Sequence, residues 1–272
     1  MSRKPKIEVE EKNKTEVQLE ETIIPEVVLP EIKEIKKTEE RTQEGWNPKT
    51  SLGKKVKSGE IINIDEILDK GMKILEPQIV EKLLPNLEIE LIKVGQSKGK
   101  FGGGKRYIWR QTQKKTKEGN NPKFGALVIV GNRDGYVGIG YGNAKETVPA
   151  REKAIRNAKL NVIKIRRGCG SWTCGCREPH SIPFTVKGKS GSVIMKIMPA
   201  PKGTKLCIEE ETQKLLRLAG IKDVYSKAYG QTRTKLNTLY ACFDALKKLS
   251  QTKVHSNFIK TSGLVEGSIV KS

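Results

Sequence analysis

Ala126-Leu-Val-Ile-Val-Gly-Asn-Arg-Asp-Gly-Tyr-Val-Gly-Ile-Gly-Tyr141 is the stretch that decides the fold of this chain. Ala126–Val130 is a strand by composition and Tyr136–Tyr141 a second one. Asp134-Gly135 between them signals a hairpin, because glycine accepts the positive φ that a tight turn demands. A helix follows. Ala144, Val148, Ile155, Ala158 and Val162 fall on one face of a 3.6-residue repeat, and Pro149 is tolerated only in a first turn. The helix should therefore start near Glu146–Val148. The run Gly138-Ile139-Gly140-Tyr141-Gly142 lies inside a strand and lacks the G-x-G-x-x-G spacing of a dinucleotide loop. Its glycines point instead to close backbone approach, by the packed helix or by a sugar–phosphate chain.

Upstream, Leu87–Val94 alternates as a strand. Asn63-Ile64-Asp65 suits the start of a helix through Ile67, Leu68 and Ile74, and Pro77 the first turn of another through Ile79–Leu84. Strand, long basic loop, strand, turn, strand and helix make a small α+β unit, with one sheet face under the helix and the other free for a ligand. Downstream, Ile182–Lys187 and Ser192–Met198 read as paired strands joined through Gly188-Lys189-Ser190-Gly191. Ile208–Ala219 is a helix stopped by Gly220, Ile221–Tyr225 a third strand. Thr234 opens a last helix that buries Leu236, Leu239, Tyr240, Phe243 and Leu246. The fold class is α+β.

Charge narrows the function. The 272 residues carry 52 Lys+Arg against 31 Asp+Glu, a formal net charge of +21, which calls for a polyanionic partner. The imbalance is not uniform. Residues 1–45 hold twelve Glu and nine Lys/Arg, so the rest of the chain carries a net +24. That Glu-rich tail, interrupted by Pro25 and Pro30, should be disordered. No apolar run approaches the ~20 residues of a membrane helix, and the N-terminus lacks the apolar core of a signal peptide. Five unevenly spaced cysteines do not make a secreted disulfide framework, so a cytoplasmic, reduced setting is expected.

The cations concentrate in residues 93–123, where ten Lys/Arg face Glu118 alone. Within this Gly-rich segment Lys98, Lys100, Lys105, Arg106, Arg110, Lys114, Lys115, Lys117 and Lys123 are candidate phosphate ligands, on a backbone flexible enough to approach RNA. Tyr107 and Trp109 are candidate base-stacking rings. The plainer alternative is a solvated loop.

Cys169, Cys174, Cys176 and His180 fall within twelve residues of a segment that also holds Gly168, Gly170 and Gly175. Three thiolates and an imidazole form a closed tetrahedral set suited to structural zinc. Their Cys-x4-Cys-x-Cys-x3-His spacing is not the usual Cys-x2-Cys knuckle. The alternative is reduced cysteines in an RNA-facing turn, with Arg166, Arg167 and Arg177 meeting phosphate. Neither histidine has a nucleophile or carboxylate at a recognisable catalytic spacing, so an enzyme is not expected.

Several blocks carry a family resemblance. They are Trp46-Asn-Pro-Lys-Thr-Ser-Leu-Gly53, Glu76-Pro-Gln-Ile-Val80, Val130-Gly-Asn-Arg-Asp-Gly-Tyr-Val-Gly-Ile-Gly140 and Lys153-Ala-Ile-Arg-Asn-Ala-Lys-Leu-Asn161. Further on come Arg166-Arg-Gly-Cys-Gly-Ser-Trp172, Pro179-His-Ser-Ile-Pro-Phe184, Gly188-Lys-Ser-Gly-Ser-Val193, Pro199-Ala-Pro-Lys-Gly-Thr204 and Leu218-Ala-Gly-Ile-Lys-Asp-Val224. Through them residues 46–250 resemble the universal family of small-subunit ribosomal protein S-five, in its archaeal form.

The resemblance implies a structural, rRNA-binding component of the small subunit. It implies an N-terminal domain like a double-stranded-RNA-binding domain and a second α+β domain with a βαβ element. The expected segments are an acidic tail (1–45), a helical extension (46–85), the RNA-binding-like domain (86–167), a cysteine-rich linker (168–180), the C-terminal α+β domain (181–250) and a basic tail (251–272). The family's basic loop, which reaches into rRNA, falls on Lys98–Lys123 and is longer here than the family pattern. Arg166, Arg167 and Lys189 join the candidate RNA ligands. Implied partners are small-subunit rRNA, ribosomal proteins S-four and S-eight, and mRNA at the channel by which it enters, with a role in decoding accuracy. No membrane and no homo-oligomer is implied. The competing readings are a free double-stranded-RNA-binding protein and a metal-dependent nucleic-acid enzyme built on the Cys169–His180 cluster.

Overall fold

Three short helices open the described chain: α1 (Ser51–Ser58), α2 (Ile64–Asp69) and α3 (Pro77–Leu83). The computed structural model describes residues 46–96 and 106–268, and Asn47 onward belongs to one compact unit. The acidic tail, Lys98, Lys100 and Lys105 lie outside the described residues. Thr50 caps α1, its Oγ1 accepting from the Gly53 amide at 3.0 Å. Pro77 occupies the first turn of α3, where its missing N–H costs nothing. Asn63 precedes α2 without a side-chain cap bond, and α2 ends before Ile74.

The first sheet is built from β1 (Glu88–Ile92), β4 (Arg110–Thr116), β5 (Gly119–Gly131), β6 (Tyr136–Ala144) and β7 (Val162–Lys164), after the small pair β2 (Gly95–Gln96) and β3 (Arg106–Tyr107). Its order is β1-β5-β6-β7, with β4 also paired to β5, and every pairing is antiparallel. The Asp134-Gly135 turn is present, with Gly135 at φ 93°; Arg133 also adopts a left-handed conformation at φ 57°.

Helix α4 (Thr147–Leu160) places Pro149 in its first turn, as the sequence requires. Its buried face matches the expected one only in part: Ala158 is buried as expected, with Val162 just beyond the helix. Ala150, Ala154 and Ala158 face the sheet, while Val148 is 64% exposed. The reason is clearance. A Cβ on Gly138, Gly140 or Gly142 would lie 2.1–2.3 Å from α4 backbone atoms, so β6 glycines face helix alanines and the two backbones nearly touch. The helix, not a sugar–phosphate chain, is what approaches these glycines.

After β8 (Arg166–Arg167) and the linker, a second sheet forms from β9 (Val186–Ser190), β10 (Val193–Pro199), β11 (Leu206–Cys207) and β12 (Val224–Tyr229), in the order β11-β12-β10-β9. The hairpin turn sits two residues later than expected, because Gly188–Ser190 continue β9 and pair with β10. Helix α5 (Glu210–Leu218) joins β11 to the parallel strand β12, which is the βαβ element. It ends at Gly220, φ 79°. Helix α6 (Lys235–Gln251) covers β9 and β10.

Two expectations fail here. The sheet face opposite α4 is not free for a ligand. Leu127, Ile129, Val137 and Ile139 are buried in one cluster with Leu215, Leu218, Leu246 and Leu249, and α5 packs on β1, β5 and β6. Each such side chain contributes ~1.5–3 kcal/mol when fully buried, so an open apolar face would be costly. Gly131 marks the seam: a Cβ there would lie 2.6 Å from the Leu218 carbonyl oxygen. Nor is the segment after residue 250 simply a tail. Its described part forms α7 (Ser256–Ser262) and β13 (Val265–Glu266), which returns to pair antiparallel with β8.

Candidate nucleic-acid interface

The described part of the basic segment is a β-ribbon rather than a flexible loop. β4 and the first half of β5 pair from Arg110↔Gly125 to Thr116↔Gly119 around a Lys117-Glu118 turn, closed by Gly119 at φ 120°. The Gln111-Thr112-Gln113 run needs no apolar partner to do this, since the ladder bonds are backbone bonds. Beyond Phe124 the ribbon leaves the sheet, and Arg110–Lys115 are all exposed. Pleating sorts the cations. Arg110 and Lys114 share a face with Lys123, which lies across from Thr112, while Lys115 points to the other side. Among the described residues no ion pair forms at Arg110, Lys114, Lys115, Lys117 or Lys123.

Other candidates are engaged within the protein. The Arg106 guanidinium donates to the Arg233 carbonyl at 2.9 Å. Trp109 packs beside Ala126, Val128 and Val130 in the core under α4, so it is not a free stacking ring, whereas Tyr107 is 55% exposed. Arg166 Nε meets Glu266 Oε1 at 2.5 Å and its Nη1 donates to the Leu249 and Thr252 carbonyls. Arg167 is 3% exposed, pairing with Asp134 at 2.6 Å and donating to the Gly267 carbonyl at 2.8 Å. Its Nε is buried without a partner. Both β8 arginines are thus engaged within the protein, Arg167 fully and Arg166 with part of its side chain still exposed.

Lys189 is exposed on β9 and has neighbours that the sequence alone did not bring together. Register sets Lys187, Lys196 and Lys227 directly opposite one another across β9, β10 and β12. Like charges in adjacent cross-strand positions repel, so this row favours an anionic partner. On the same face Tyr225 and Tyr229 are 40% and 53% exposed. The signal was present as Lys187-Gly188-Lys189 alternation, but the row exists only once three strands are in register. Trp172, between Cys169 and Cys174, is 96% exposed.

The linker draws Cys169, Cys174, Cys176 and His180 together, with one ligand atom of each within 4.8 Å of every other. Cys174 Sγ lies 3.3 Å from Cys176 Sγ and 3.8 Å from His180 Nε2. Arg177 bends the chain between them at φ 54°. Gly170 must be glycine, since a Cβ would sit 1.9 Å from the Pro183 carbonyl oxygen. Hydrogen bonds led by the Lys202 backbone amide hold the Cys174 thiol down at about 6, while burial pushes Cys169 up to about 11. His180 Nδ1 meets Asp223 Oδ2 at 2.9 Å, a partner that spacing did not disclose. No helix among the described residues is long and apolar enough to cross a membrane.

Comparison with known proteins gives a consistent answer. The family model for ribosomal protein S5, N-terminal domain, matches residues 108–166, and that for ribosomal protein S5, C-terminal domain, matches residues 188–257. Small ribosomal subunit protein uS5 of Nanoarchaeum equitans is 54% identical over 227 residues, covering 84% of this chain and 97% of that protein. The proteins of the same name from Methanocaldococcus jannaschii and Staphylothermus marinus are 46% and 47% identical. Those alignments cover 83% and 75% of this chain and 97% and 88% of the relatives.

Proposed function

This chain belongs to the ribosomal protein S5 family, and from that premise we propose that it is a structural, rRNA-binding component of the small ribosomal subunit rather than an enzyme. The observation that carries the proposal is the set of cations on the β4–β5 ribbon, extended from the sheet and without ion pairs among the described residues. Phosphates would neutralise them, and release of condensed counterions would supply the affinity. The Lys187–Lys196–Lys227 row and Lys189 make a second basic surface, where Tyr225 and Tyr229 offer rings to unpaired bases. Trp172 is placed to do the same from the linker.

On this reading the β1-β5-β6 sheet and α4 act as a double-stranded-RNA-binding-like unit, with a difference in the surface used. Its open-sheet face is occupied by α5, so contact runs through the ribbon. The chain works in the cytoplasm as a single copy within the subunit, beside ribosomal proteins S-four and S-eight. It lines the channel by which mRNA enters and influences decoding accuracy. The deciding experiment is sedimentation of tagged protein with small subunits through a high-salt wash, followed by hydroxyl-radical footprinting of the rRNA. Stoichiometric retention with protections near the ribbon is the expected result. Loss of the protein from washed subunits would favour a free double-stranded-RNA-binding protein.

A further inference from the structure

We propose that Cys169, Cys174, Cys176 and His180 hold a single zinc ion with a structural role, pinning the linker to the C-terminal domain. Four donors around one ion at ~2.3 Å for sulfur and ~2.0–2.1 Å for nitrogen stand about 3.5–3.8 Å apart in a tetrahedron. The distances of 3.3 Å between Cys174 and Cys176 sulfurs and 3.8 Å from Cys174 Sγ to His180 Nε2 bracket that value. All four donor atoms lie within 4.8 Å of one another, so small side-chain rotations complete the shell. The Cys174 and Cys176 sulfurs, at 3.3 Å, are too far apart for a bond of ~2.05 Å, and all three cysteines are free thiols.

Donor chemistry selects the metal. Magnesium and calcium take oxygen ligands, whereas three thiolates with one imidazole suit zinc. The set is closed, with four protein ligands and no position left for water or substrate, which argues against the metal-dependent enzyme reading. The imidazole is already oriented for the task. Asp223 Oδ2 accepts from Nδ1–H, which fixes the tautomer that leaves the Nε2 lone pair directed at the cluster. Asp223 is itself held, because its Oδ1 accepts from the Lys205 amide at 2.8 Å. His180 and Asp223 are 5% and 4% exposed, so the arrangement is shielded from water. On binding, the thiols release their protons to solvent, the ion ties together the two ends of the linker just after β8, and His180 carries the tie through Asp223 to the segment before β12.

The test is cobalt titration of the reduced, full-length chain, together with elemental analysis of protein purified without chelator. The expected result is that one equivalent of cobalt gives sulfur-to-cobalt charge-transfer bands and the ligand-field bands of a tetrahedral site with three sulfur donors and one nitrogen. One equivalent of zinc should then displace it. Cys174→Ser with Cys176→Ser should abolish both sets of bands and bound zinc, while Cys207→Ser, which alters an exposed cysteine outside the cluster, should retain them. A spectrum of hydrated, octahedral cobalt at saturation overturns the proposal without relying on any variant. So does a full equivalent of zinc retained after both cysteines are replaced.

Discussion

His180 Nδ1 and Asp223 Oδ2 are 2.9 Å apart across forty-three positions of sequence, and both side chains are buried. The pair links the linker to the start of β12, and it converts a histidine of ambiguous tautomer into one with a defined free nitrogen. Asp223→Asn keeps the shape but removes the charge that strengthens the ligand. Zinc affinity should fall by roughly 10–100-fold, the usual effect of losing such a supporting carboxylate. Competition with a chromophoric chelator measures it, with an unchanged circular-dichroism spectrum as the control for folding.

Gly140→Ala should destabilise the first sheet severely. The added methyl would lie 2.1 Å from the Ala158 amide nitrogen and 2.2 Å from the Ala154 carbonyl oxygen, both backbone atoms that cannot rotate away. Displacing α4 from β6 should cost at least the ~1–3 kcal/mol typical of overpacking. Chemical denaturation reads the loss, and Gly175→Ala, with nothing within 4 Å of the new methyl, is the matched control.

Lys159 Nζ and Glu81 Oε1 meet at 2.8 Å between α4 and α3, with side chains 4% and 15% exposed. Glu81→Ala removes one charged partner of a buried ammonium and should cost about 1.5–3 kcal/mol, the usual worth of a hydrogen bond to a charged group. Replacing both residues by apolar side chains of similar volume should recover most of the loss. Urea denaturation of the single and double variants separates the two outcomes.

The ribbon is expected to act through charge. Reversing Arg110, Lys114 and Lys123 to Glu should weaken rRNA binding. For three lost phosphate contacts it should also flatten the logarithmic salt dependence by roughly 2–3 units, at ~0.7–0.9 per contact. Anisotropy titrations against a small-subunit rRNA fragment over a salt series measure the slope. Lys115→Glu alone, on the opposite face, should have a smaller effect.

Tyr225→Ala and Tyr229→Ala test the second surface separately. If each ring stacks on a base, each change should cost ~1–3 kcal/mol in RNA affinity with little change in salt slope, because stacking releases no counterions. Both rings are exposed, so thermal stability should stay within a few tenths of a kcal/mol of the parent, as for most surface changes.

What the sequence disclosed was local. The Asp134-Gly135 turn, Pro149 in the first turn of α4 and Gly220 after α5 are signals carried by a few adjacent residues. What it concealed was settled by distant ones. The unbroken apolar run Ala126–Val130 is the pattern of a strand buried on both faces, but what covers the far face, with Leu218 seated against Gly131, is set by residues distant in sequence. A side chain's charge did not reveal its direction, as Arg166 and Arg167 show by facing Glu266 and Asp134. Lys187, Lys196 and Lys227 are scattered in sequence and become a surface only through strand register. Spacing marked the four cysteine-cluster residues but gave no hint of Asp223.

The return of β13 to β8 has a consequence for the order in which the molecule is made. Arg166 and Arg167 leave the peptidyl-transferase centre a hundred positions before Glu266 and Gly267, the groups that receive them. Throughout that interval both guanidiniums lack these partners, on a nascent chain that already carries the ribbon's cations. Synthesis of residues 265–267 thus completes the partner set of both arginines, Arg167 having had Asp134 within reach from the start, and closes the linker behind them.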